Sequence, residues 1–199
     1  MNMKELVVKN RSYRRFFEEC DVSLETLREL IDVARLTASA RNIQPLRYAL
    51  CCDRATNARI FPNLSWASAL KDWPGPAAGE RPAAYIVVLS TKEGGWSFVS
   101  DCDLGIAAQT ILLTAVEKGL GGCMIAAIRK EGLQEIFQLP ETLTYRLVIA
   151  LGKPREKVVL ETVGPDGKTT YWRDADQVHH VPKRALADVI VAVKSGMNG

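Results

Sequence analysis

Histidine is nearly missing from this chain of 199 residues: there are two, His179 and His180, side by side. A Ser-His-Asp hydrolase would have to use one of them, and no GxSxG elbow accompanies the pair. A metal site there would need ligands from elsewhere, because neighbours on a strand point to opposite faces, so the pair reads as exposed or interface histidines. HExxH, the P-loop signature and GxGxxG are absent as well. Gly119-Leu120-Gly121-Gly122 lies between a helix pattern and a strand pattern. That is the reverse of the order in a dinucleotide fingerprint, and the run reads as a helix stop. Five cysteines, at 20, 51, 52, 102 and 123, are odd in number and contain no CxxC. They suggest neither a disulfide framework nor a zinc site, and reduced thiols in a cytoplasmic protein are expected.

Charge of one sign is lacking too. The 26 basic residues face 23 acidic ones, for a net charge of +3. With no basic run or stripe, no nucleic-acid partner is expected. The most apolar stretch, Leu104 to Val116, is interrupted by Gln109. It is too short for the roughly 20 residues of a membrane-spanning helix. The chain reaches Arg11 before any apolar run develops, so no export signal and no membrane association are expected. What is present is a hydrophobic content of 47%, enough for one domain with a sizeable core.

Along the chain, Leu24, Leu27, Ile31, Ala34 and Ala38 recur at helical spacing behind Ser23, a candidate N-cap, with Glu25 in the first turn. Pro45 ends helical continuation, and 47–52 reads as a short strand in which Cys51 and Cys52 are packing residues. Residues 54 to 82 hold Trp66, Trp73 and several prolines and glycines. They predict one or two short helices and a loop, whose tryptophans either pack for stability or cover a pocket. The run 83–89 suits a central strand covered on both faces, and Gly94-Gly95-Trp96 a turn. From Asp101 to Lys118 comes a long helix closed by Gly119. It is apolar nearly all round, which calls for burial in a core or against a second subunit. A strand at 123–128, a short helix at 130–137 and a strand at 145–151 follow. Beyond them, 158–163 and 169–172 flank Pro165-Asp166-Gly167 as a hairpin, and Pro182 opens a last amphipathic helix. The expectation is a single domain, with a core over about 10–155 and a hairpin-and-helix extension over about 156–199.

Two polar segments flank the first of the long helices, Arg11-Ser12-Tyr13-Arg14-Arg15-Phe16 and Ser39-Ala40-Arg41-Asn42-Ile43-Gln44-Pro45. Guanidinium forks suit phosphate, and Ser, Asn and Gln supply directional bonds for the edge of a planar ring. The same residues also serve as helix caps and turns.

Taken in order, RSYRRF, the helix, SARNIQP, DxxLGIAAQTILLTAVEKGLGG and VIALGKP resemble the nitroreductase family of flavin enzymes over about residues 10 to 155. The resemblance implies an α+β fold with a central mixed, mostly antiparallel sheet flanked by helices, an intertwined homodimer, and FMN at the dimer interface. It places Arg11, Ser12 and Arg14, with Tyr13 between them, at the FMN phosphate and the pyrimidine side of the ring, and Arg15 as a secondary candidate. Ser39, Ala40, Arg41 and Asn42, with Gln44, match the segment that reaches FMN from the partner subunit. Ile125, Ala126 and Ala127 stand where backbone donors approach flavin N5, although many relatives have glycine or glutamate there. Lys153 or Arg155 would bring a basic group to the phosphate. No metal is implied. The flavin would carry the chemistry, taking hydride from NADH or NADPH and reducing a nitroaromatic, quinone or other small acceptor with ping-pong kinetics. Arg14 would stabilise the reduced ring by charge. The alternatives are a flavin-binding carrier or sensor, and a structural homodimer that has lost the cofactor.

Overall fold

A computed structural model of the chain describes residues 1–70, 72–91 and 98–195, so the turn expected at Gly94-Gly95-Trp96 lies outside the described residues. The chain divides into two units, Met1–Glu156 and Lys157–Gly199.

The first unit is built on β2 (Ala84–Thr91), whose apolar run is buried along nearly its whole length. Alternate residues serve two cores, as the period of a strand requires. Ile86 and Val88 join Leu27, Leu30, Ile111 and Ala115 on one sheet face. Tyr85, Val87 and Leu89 join Ile60, Trp66 and Leu133 on the other. Around β2 lie β1 (Leu46–Cys51), β3 (Gly121–Ile125) and β4 (Leu143–Gly152), in the order β1-β2-β4-β3. All three pairings are antiparallel, with a register shift between Val88 and Leu89. A parallel bridge, Ser12 to Gly122, adds to the sheet's edge.

Among the described residues, five α-helices accompany the sheet: α1 (Met3–Lys9), α2 (Leu24–Ala34), α3 (Arg54–Ile60), α4 (Phe98–Glu117) and α5 (Lys130–Phe137). Ser23 caps α2 by accepting the Thr26 amide. That helix stops at Ala34, short of Ala38, because the Leu36 and Thr37 amides turn back to the Val33 and Ala34 carbonyls. Beyond Glu117, Gly119 with a φ of +74° and the Leu120 amide donating to the Ala115 carbonyl close α4 in a left-handed turn. Within the single chain α4 buries Ala107, Ala108, Ile111, Leu112, Ala115 and Val116, yet leaves Cys102, Gly105, Ile106 and Gln109 exposed. No helix among the described residues is long and apolar enough to cross a membrane.

The second unit holds β5 (Val158–Thr162), β6 (Trp172–Arg173), β7 (His179–Lys183) and the short α6 (Leu186–Val189). The turn at Gly167 forms, but it does not close a hairpin: β5 and β6 both pair with β7, in parallel and antiparallel fashion respectively. Pro182 lies in β7 opposite Glu161 instead of opening a helix. β6 reaches only as far as His180, so β7 has one neighbour at Pro182, where a missing N–H is tolerated.

Candidate active site

The first polar segment is extended and inserted between two strands' ends. On one side it meets β3, through the Ser12–Gly122 bridge and the Tyr13 amide donating to the Gly122 carbonyl (3.0 Å). On the other it pairs with the residues after β4: Phe16 opposes Pro154, the Phe17 amide donates to the Lys153 carbonyl, and the Arg155 amide donates to the Arg15 carbonyl. Glycine makes this approach possible. A Cβ on Gly121 would stand 2.4 Å from the Tyr13 ring, and one on Gly122 would stand 2.4 Å from the Ala150 carbonyl oxygen.

This small antiparallel ladder has two faces, and it separates the arginines. Arg14, Phe16 and Glu156 are on the inner face, and all are buried. Glu156 accepts the Arg14 amide, and an Arg14 guanidinium nitrogen donates to the Ser12 carbonyl (3.2 Å). Cys123 of β3 lies against the same guanidinium; burial pushes its thiol up, and Arg14 pulls the other way. Arg15, Phe17, Lys153 and Arg155 occupy the outer face. There Glu80 grips Arg15 at 2.6 and 2.5 Å and stands 3.6 Å from Arg155, and its hydrogen bond raises the Arg15 pKa. The Lys153 ammonium and Arg155 guanidinium both lie over the Phe17 ring. Arg11 donates to the Val7 carbonyl (2.6 Å), and burial lowers its pKa, while its buried Nε has no partner. The Ser12 side is exposed.

The second polar segment is held from α4. Asp103, only 6% exposed, accepts the Ser39 hydroxyl at 2.7 Å and the Ala40 amide at 3.1 Å, and Ser39 in turn accepts the Gln44 amide at 2.9 Å. Arg41, Asn42 and Gln44 all adopt left-handed backbone with φ of 53°, 56° and 51°, uncommon for residues with side chains. All three are exposed. Ser39 and Gln44 line a cavity of about 340 Å³ with Ala34, Tyr48, Asp103 and Ala107, and no residue of 11–15 lines it. That cavity is thus walled by the second polar segment with α2, β1 and α4, and not by the first. In the third group, the Ile125 side chain belongs to a core, Ala126 is exposed, and the Ala127 carbonyl accepts the Ser65 amide.

Sequence reasoning missed Glu80, Asp103 and Glu156, the three carboxylates that hold these segments. Each acts on residues far away in the chain, and no local pattern marks them.

A guanidinium with an unsatisfied buried N–H beside an exposed hydroxyl is a donor set that fits the phosphate and ring edge of a flavin nucleotide. The comparisons bear on the same region. The nitroreductase family model matches residues 7–153. A Methanothermobacter thermautotrophicus protein provisionally named NADH dehydrogenase/NAD(P)H nitroreductase is 29% identical over 78% of this chain and 79% of its own length. A nitroreductase family protein from Clostridium novyi NT has the same fold, with a TM-score of 0.65 and 20% identity over 96% of this chain and all of that one. An FMN-dependent nitroreductase from Clostridium difficile R20291 superposes with a TM-score of 0.61 at 22% identity, over 78% of this chain and 89% of its own. With the family model spanning both polar segments, the sheet and α4, the chain belongs to the nitroreductase family.

Proposed function

We propose that the chain is an FMN-dependent oxidoreductase that moves electrons from NADH or NADPH to a small oxidised acceptor such as a nitroaromatic or quinone. The observation that carries this reading is the seat of Arg11, Ser12 and Arg14 along the edge of β3, with an unpartnered buried N–H at Arg11 beside the exposed Ser12. Arg11 and Ser12 would hold the phosphate and the near ring edge, and Arg14 would set positive charge beside the ring carbonyls. Bound FMN would supply hydride acceptance and electron transfer. Arg15 is paired with Glu80 on the other side of the ladder and would be a secondary contact.

Ser39 to Gln44 would complete the site from a second copy of the chain. Two features support this: the cavity beside Ser39 and Gln44 has none of Arg11–Arg15 in its lining, and α4 leaves Cys102, Gly105 and Ile106 exposed, small and apolar groups suited to a two-fold contact.

The test is optical. Purified protein is titrated with FMN, and the complex is then treated anaerobically with NADH and with NADPH. Yellow protein bleached by a nicotinamide and recoloured by an acceptor is the expected outcome, with parallel double-reciprocal lines at steady state. Protein that binds no FMN overturns the reading, and bound flavin that neither nicotinamide bleaches makes it a carrier instead.

A further inference from the structure

Glu156 is 7% exposed, although Arg155 before it and Lys157 after it are exposed. A carboxylate taken out of water persists only where donors and positive charge meet it. The Arg14 amide is one such donor, delivered across the inner face of the ladder. The Arg14 guanidinium lowers the Cys123 thiol pKa and the Glu156 carboxylate raises it, so the thiol senses both charges with opposite sign. The thiol, pushed up by burial, is neutral near pH 7, so it adds no charge of its own.

We propose that Glu156 is a positioning residue for the flavin site: its carboxylate fixes the Arg14 backbone, and its negative charge tempers the positive charge that Arg14 presents to an anionic ligand. The proposal rests on the FMN reading above. It assigns two separable roles to one side chain, hydrogen-bond acceptor and counter-charge. Glu156→Gln keeps an acceptor oxygen of the same shape and removes the charge. Glu156→Ala removes both.

The two variants are therefore expected to move flavin affinity in opposite directions. With one negative charge gone beside Arg14, Glu156→Gln should bind FMN about fivefold tighter and hold it at a more positive midpoint potential. Glu156→Ala should bind FMN at least about tenfold more weakly, because the Arg14 amide loses its acceptor and the segment its register. A purely structural residue would weaken binding in both variants, in proportion to lost thermal stability. Weakening of the same size in both variants, or no change in either, overturns the proposal.

A flavin-free readout separates this proposal from the FMN reading itself. In apoprotein, the ultraviolet absorbance of the Cys123 thiolate, taken as a difference against Cys123→Ser, should appear at lower pH in Glu156→Gln than in the parent chain. An unshifted thiol removes the counter-charge role whether or not FMN binds, whereas a shifted thiol in a protein that takes up no FMN overturns only the flavin reading.

Discussion

Gly122 shows how one missing side chain decides the site. The closest atom to a Cβ placed there is the Ala150 carbonyl oxygen, part of the β4 backbone, with Leu112 and Leu151 next. Backbone in the middle of a sheet cannot give way, so Gly122→Ala should destabilise the first unit by about 1–3 kcal/mol, the usual range for overpacking. Gly121→Ala meets the Tyr13 ring and Pro154 instead, both belonging to the segments that form the ladder. Its cost in thermal denaturation should be smaller, and its effect on FMN binding larger. Equal loss of stability with unaltered FMN binding would count against the ladder as the seat of the site. Arginine placement makes a related point about legibility. Once residues 12–17 are extended, a period of two sends Arg14 inward and Arg15 outward, so their division could have been read from sequence. Glu80, which claims Arg15 from 65 positions away, could not.

At the scale of elements, local signals were legible where local chemistry makes the element. Ser23 as the α2 cap, Gly119 as the α4 stop and the span of α5 follow from caps and periodicity. The hairpin expected of β5 and β6 does not form, because a turn signal specifies the turn and says nothing of which strands pair beyond it. The 39–44 segment is another non-local case, since Asp103 lies 64 positions from Ser39. Asp103→Ala leaves the Ser39 hydroxyl and Ala40 amide without their charged acceptor, where such hydrogen bonds are worth about 1.5–3 kcal/mol each. Three left-handed residues then lose their anchor, and limited proteolysis should cut near Arg41 far faster than in the parent chain, with Asp103→Asn intermediate. Unchanged cleavage would show that the loop holds itself.

The second unit carries its own titration. Each ring nitrogen of His180 faces a carboxylate, Glu161 at 2.5 Å and Asp174 at 3.0 Å, and the ring stacks on Trp172 at 4.1 Å. Asp174 first and Glu161 second raise the His180 pKa, and His180 in turn holds the Asp174 carboxyl low. A raised folded-state pKa gives stability that is complete below the ordinary histidine value of about 6.5 and is lost as pH climbs through the raised value. The lowered Asp174 works oppositely, its contribution being lost as pH falls below the carboxylate range. The β5-β7-β6 sheet should thus be firmest in weakly acid solution. Trp172 fluorescence, quenched while the stacked imidazole is charged, should recover with a midpoint above about 6.5, and Asp174→Asn should bring that midpoint down. A parent midpoint at the unperturbed value would sink this assignment.

For the whole molecule, the decisive matter is whether one chain or two make a site. Ile106 is 42% exposed in the middle of α4, between Gly105 and the next turn's Gln109, a place where a soluble helix would ordinarily be polar. If a second copy covers that stripe, Ile106→Glu should convert a dimer to a monomer in sedimentation and release flavin with it. Complementation is stricter, because it asks which residues come from which chain. Arg11→Ala and Arg41→Ala should each empty both sites of a homodimer. After mixing and reassembly, half of the dimers carry one mutation per chain, and a site shared between chains then has both defects on one side and none on the other. Flavin content should therefore return to about a quarter of the parent level in the mixture, from near zero in either variant alone. If each chain supplied both polar segments to its own site, every site in every mixture would retain one defect, and nothing would return.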